Sequence, residues 1–118
     1  MNPEQLKKVV VDALEDVKAT DINVLDVSQL TAMASYMIIA SGSSNRQTRA
    51  LSDNVQKKVK ENGAEVYGVE GEQEGEWVLV DLGDIIVHIM LPATRDYYNL
   101  EQLWGAAESR RQGTKAGV

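Results

Sequence analysis

Gly42-Ser43-Ser44-Asn45-Arg46 is the first stretch of this 118-residue chain whose residue types and spacing could do chemistry. It follows an apolar run, Ser35 to Ser41, and opens a helical pattern. Free backbone N–H groups and the helix dipole at such a point attract anions, and Arg46 or Arg49 would add counter-charge. No Gly-x-x-x-x-Gly-Lys-Ser/Thr occurs, so this is not a P-loop. Phosphoryl transfer here would need paired carboxylates for a divalent metal. The next acidic residue, Asp53, falls inside the helix, and no Asp-x-Asp follows it. A capped helix start is the simpler reading. His88 is the single histidine and there is no cysteine, so no multi-His metal site, thiol catalysis, disulfide or Cys-based zinc site can form within the chain. His88 alternates along a strand with Ile86 and Met90, which points to a structural or interface role. Asp81, Asp84 and Asp96 could form an acid/base set, but Asp84 is more simply a turn residue. The remaining candidates are anchors for binding. Trp77, Leu82, Met90, Tyr97, Tyr98 and Trp104 are the large side chains of the second half, and Phe is absent. Trp and Tyr are favoured interface anchors, so Trp77 beside an acidic stretch is a candidate hot spot.

The elements that position these residues follow from periodicity. Residues 4–18 predict an amphipathic helix, with Leu6, Val9, Val10, Ala13, Leu14 and Val17 on one face, Pro3 in its first turn and Asn2 as cap. Asn23–Val27 predicts a first strand, and Ser35–Ser41 a strand buried on both faces. A second helix runs to about Asn62, with Leu51, Val55 and Val59 in step and Gly63 at the C′ position. Val66–Val69 predicts a short strand and residues 70–75 a Glu/Gly loop. Trp77–Leu82 and Ile85–Leu91 predict a hairpin about Gly83-Asp84. Pro92 ends the second of these strands, and Leu100–Arg110 predicts a last helix. The expected fold is α/β (α+β): a single mixed sheet of about five strands flanked by helices, in one domain spanning residues 1–111, with 112–118 a flexible tail.

Composition bounds the function. Apolar residues are 43% and charged residues 25%, as in a soluble globular domain. No apolar run approaches the roughly 18 residues of a membrane span. The start, Met1-Asn2-Pro3-Glu4-Gln5, has neither a basic-apolar leader nor an Arg-rich transit pattern, so a cytoplasmic protein is expected. The net charge is −6, and residues 64–84 carry seven acidic residues and no basic one. This disfavours a broad nucleic-acid surface and suits a basic protein partner, although seven carboxylates could simply solubilise a loop.

Five stretches resemble one family. They are Asp21–Val27, Met37–Gln47, Val69-Glu70-Gly71, Glu76–His88 and Arg95–Trp104, together covering the chain from about residue 5 to residue 105. The Trp77–His88 block and the closing Tyr98-Asn99-Leu100-Glu101-Gln102-Leu103-Trp104 are its most specific parts. The chain is similar to the ribosomal silencing factor S family, also called iojap. The resemblance implies a nucleotidyltransferase-like fold without catalytic carboxylates, no enzymatic activity and no cofactor or metal. It implies binding to the large ribosomal subunit through its ribosomal protein number fourteen, on the surface that meets the small subunit. Subunit joining would be blocked and translation lowered when nutrients are scarce. It also implies a homodimer when free and, for organellar members, a role in ribosome assembly. The partner-binding residues it implies are Trp77, Leu82, Asp84, His88, Arg95 and Tyr98; the docking surface expected for them is a strand and hairpin bearing Trp77, Leu82 and Met90 and edged by Glu70, Glu76, Asp81 and Asp84. In one departure, Ala34-Ser35-Tyr36 stands where the family usually has an acidic residue before the second strand. The alternatives are a phosphate-handling enzyme at Gly42-Ser43, and an assembly or dimerisation module without silencing activity.

Overall fold

The structure, a computed structural model, describes residues 1–104. Asn2 accepts from the Gln5 backbone N–H at 2.8 Å, and the Gln5 side chain accepts from the Asn2 N–H at 3.2 Å. This capping box and Pro3 start α1 (Pro3–Asp16), whose Leu6, Val10, Ala13 and Leu14 are buried. Strand β1 (Thr20–Asp26) follows, then β2 (Tyr36–Ser41), α2 (Asn45–Glu61), β3 (Gly68–Glu70), β4 (Trp77–Asp81), β5 (Ile85–Met90) and α3 (Pro92–Tyr98). The expected mixed sheet is present, in the order β1-β2-β5-β4-β3. β2 and β5 pair in parallel at its centre, and the outer pairings are antiparallel.

The two sheet faces are covered unequally. One face packs Ile38, Ala40, Val78, Val80, Ile85, Val87 and Ile89 against the apolar sides of α1 and α2. The other holds a smaller cluster of Val27, Met37, Ile39 and Met90, with Trp77, Leu100 and Trp104 half-buried against it. β2 is buried along most of its length because it lies centrally between these layers, as its uninterrupted apolar run requires.

The end of the chain departs from expectation. Pro92 does end β5, but it also opens a helix, α3, with Leu91 in the cap position. Asn99 then takes the left-handed conformation (φ 50°, ψ 52°), and residues 100–104 are helical again. The expected helix Leu100–Arg110 is therefore met in its first turn, while residues 105–111 and the expected tail lie outside the described residues. Smaller shifts occur at the sheet edges. β1 begins earlier, at Thr20, with a register irregularity near Asp21 (φ 50°). β3 sits two residues later than expected at its start.

The turn from α3 to 100–104 is tied down by charge. The Arg95 side chain, 9% exposed as a residue, donates from Nε and Nη2 to the two Glu101 carboxylate oxygens at 2.7 and 2.9 Å. Its Nη1 donates to Ser41 Oγ at 2.8 Å, and Asn23 Nδ2 donates to Glu101 Oε2 at 2.7 Å. The Arg95 hydrogen bonds hold the Glu101 carboxyl below its usual range. Bidentate pairing of this kind fixes geometry as well as energy. Arg95→Leu leaves the Glu101 carboxylate and Ser41 hydroxyl without this partner. It is expected to lower unfolding stability by roughly 2–3 kcal/mol, read as a lower urea midpoint at unchanged slope.

Candidate partner-binding surface

The indole of Trp77 is the centre of the exposed apolar surface at one end of the sheet. Trp77 begins β4 on the thinly covered face, opposite Met90 of β5. Its start is enforced by Gly71, which turns with φ +88° and lies so close that a Cβ there would come within 2.0 Å of the Trp77 carbonyl oxygen. The Tyr98 ring lies 4.7 Å from the indole, tilted by 49°, and Tyr97 meets Tyr98 edge-on at 5.0 Å. Tyr97 is 79% exposed and Tyr98 53%. Glu76, Trp77, Ala93, Thr94, Tyr97 and Tyr98 line an open depression of about 360 Å³. Glu70 ends β3 exposed, on the same sheet face as Trp77 by its pairing with Leu79. Ring faces backed by carboxylates can take both an apolar anchor and a cation.

Beneath this surface lies His88. It is 6% exposed, paired in register with Ile39 on one side and Leu79 on the other. Its Nδ1 accepts a hydrogen bond from Trp77 Nε1–H at 2.9 Å. Accepting at Nδ1 requires the neutral ring with its proton on Nε2. Burial pushes the imidazole pKa down from 6.5 to about 4, in keeping with that form.

The eight partner-binding candidates, Glu70 and Met90 included, do not share one surface. Trp77, Tyr98 and Glu70 are brought together. Asp84 is exposed, but at the hairpin tip, at the other end of β4 and roughly 20 Å from Trp77. There its carbonyl accepts from the Ser35 and Tyr36 N–H groups at 2.7 and 3.2 Å, which fastens the hairpin to the start of β2. Leu82 is 3% exposed and packs with the helix-side core, because strand alternation sends Val78, Val80 and Leu82 away from the Trp77 face. Met90 is on the Trp77 face but has no exposure. Leu82 and Met90 therefore offer no exposed side chain beside Trp77, whereas Tyr97 and Tyr98 do. His88 lies beneath Trp77, and Arg95 is buried against Ser41 and Glu101, so neither is part of the exposed surface. Tyr97, a candidate anchor by residue type but not among the residues the resemblance implies, joins this surface because α3 sets it beside Tyr98.

The other candidates separate. At the start of α2, Ser44 Oγ accepts from Gln47 N–H at 3.1 Å, while Ser43 N–H and Oγ–H both donate to Gln47 Oε1 at 2.6 and 2.8 Å. This turn spends those donors on its own cap. Asp81 Oδ1 accepts from Gly83 N–H at 2.9 Å, as a turn residue does. Asp96 belongs to α3, beyond the opposite end of β5 from Asp84, so the three aspartates are not one acid/base set.

The neutral state of His88 makes stability acid-sensitive. Between pH of about 6.5 and about 4, the unfolded chain takes up a proton at His88 that the folded chain refuses, so stability falls as pH drops through that window. The full loss is expected to be roughly 3 kcal/mol. Urea unfolding from pH 7 downward should show this slope, and His88→Asn should remove it.

Three comparisons place this geometry among known proteins. The sequence model of a family described as "Ribosomal silencing factor during starvation" matches residues 1–117. A ribosomal silencing factor of Chromobacterium violaceum is 53% identical over 105 residues, 89% of this chain and 86% of the relative. One of Bacillus subtilis is 41% identical over 107 residues, 91% of each. A crystal structure of a Chromobacterium violaceum protein superposes with a TM-score of 0.88 at 53% identity, covering 89% of this chain and 88% of that one. With the family matched over nearly the whole sequence and the fold matched in a solved relative, the chain belongs to the ribosomal silencing factor family.

Proposed function

We propose that this protein docks on the large ribosomal subunit through ribosomal protein number fourteen and blocks joining of the small subunit when nutrients are scarce. The action is steric and cytoplasmic, and it needs no catalysis. Family membership supports the ribosome as partner. The observation that carries the choice of surface is the Trp77–Tyr98 pair with Tyr97 beside it: three aromatic rings, two of them more than half exposed, at one end of the sheet. Aromatic anchors of this kind supply most of an interface's affinity. Glu70 and Glu76 beside them, within a segment of seven acidic residues and no basic one, guide approach to a basic partner. In the free state the protein is a homodimer, to be checked as a dimer mass in light scattering.

Sedimentation with separated subunits tests the reading. The protein should pellet with large subunits and not with small ones. Trp77→Ala and Tyr98→Ala should each weaken this by roughly 2 kcal/mol, about thirtyfold, while circular dichroism stays unchanged. Raising salt should slow association more than it lowers the final affinity, because rim charges act mainly on encounter. Equal pelleting of the parent and both aromatic variants would remove this surface from the interface. Pelleting without any effect on subunit joining would favour an assembly role instead.

A further inference from the structure

We propose that His88 is a positioning residue: its Nδ1 holds the Trp77 indole in the orientation that a partner meets, without touching the partner itself. This rests on the docking surface proposed above. The indole has one polar atom, Nε1–H, and that atom donates to His88 Nδ1 at 2.9 Å. The two ring centroids lie 5.8 Å apart with planes at 48°, so the contact is an edge hydrogen bond rather than a stack. His88 is almost fully enclosed and fixed between Ile39 and Leu79 in the sheet, so its ring cannot follow the indole outward. Trp77 is half-buried, and Tyr98, more than half exposed, leans on it. The fixed point of the chain His88, Trp77, Tyr98 is therefore its innermost member.

This gives the single histidine a task that neither metal binding nor catalysis would explain. An apolar residue would fill the space between Ile39 and Leu79 equally well, but it would leave the indole N–H unpaired in a part-buried place. The indole would then turn to reach water and take the Tyr98 contact with it. Binding would have to restore the lost orientation, and that ordering is subtracted from affinity.

Three variants separate positioning from packing. Asn places an acceptor oxygen near the Nδ1 position; Gln reaches towards the Nε2 position; Leu has no acceptor. The probe is the indole ¹H–¹⁵N spectrum of the free protein, which has two tryptophan signals, that of Trp77 being the one absent from Trp77→Phe. In the parent this signal should be sharp and shifted by the hydrogen bond. His88→Asn should keep it, whereas His88→Leu and His88→Gln should move and broaden it. Affinity for separated large subunits should fall roughly three- to tenfold in Leu and Gln, the worth of one hydrogen bond, and stay near the parent in Asn. If Leu fails to fold, the Asn and Gln pair decides the matter alone. Leu and Gln binding like the parent, while Trp77→Ala binds poorly, would overturn the positioning role and leave the docking surface standing. Trp77→Ala binding like the parent would overturn both.

Discussion

Arg95 holds the exposed end of this fold together. A five-stranded sheet has two faces to bury, and α1 and α2 both lie on the same one. What closes part of the second face is the short run from Pro92 to Trp104, which is too brief to be stable as free helix. It is secured instead by one guanidinium that reaches Ser41 at the end of β2 and both oxygens of Glu101, with Asn23 of β1 completing the carboxylate's shell. The geometry follows from that knot. With Arg95 pinned, Tyr98 comes onto Trp77, Asn99 reverses the helix, and Leu100 and Trp104 reach the second cluster.

This dependence explains what could be read from the sequence and what could not. The helix-side core was legible because its residues repeat: Leu6, Val10, Ala13 and Leu14 on one stripe, Leu51, Val55 and Val59 on another, and alternate residues along β5. The Asn2 cap, the C′ glycine Gly63 and the turn at Gly83 were legible because few residue types can do those jobs, whereas the reciprocal Gln5 half of the capping box is seen only in the structure. The thinly covered face was not legible in this way. Residues 92–98 contain no apolar stripe; their helix is decided by Pro92 at its start and by tertiary contacts of Arg95 and Tyr98. Proline was read as a stop, although it suits a helix's first turn equally well. The edges β1 and β3 shifted for a related reason, since an edge strand ends where its partner stops pairing, which no local pattern encodes.

The candidate surface shows the same division. Trp77, Tyr98 and Glu70 lie together, while Leu82 and Met90 are large, apolar and buried. Strand parity separates Leu82 from Trp77: five positions apart, the two must point to opposite faces of the hairpin. That much was available from the sequence. Burial of Met90 was not, because it depends on what covers the face above it.

The commitments of the polar candidates and the thin cover of one face by the described residues belong to one explanation. The polar groups that might have supported chemistry are committed elsewhere: Ser43 and Ser44 to the α2 cap, Asp81 to the hairpin turn, Arg95 to Glu101, His88 to Trp77. The two exposed tyrosines, by contrast, have only each other and Trp77 as ring partners among the described residues. Among the described residues no further layer covers these rings. The partner proposed above would supply that layer and gain its burial free energy, at about 25 cal/mol for each Å² of apolar area removed from water. In the proposed function, the sheet face that the described residues leave half-covered is the binding feature. α3 is fixed well enough by Arg95 to hold Tyr98 in place, yet it is too short to hide it.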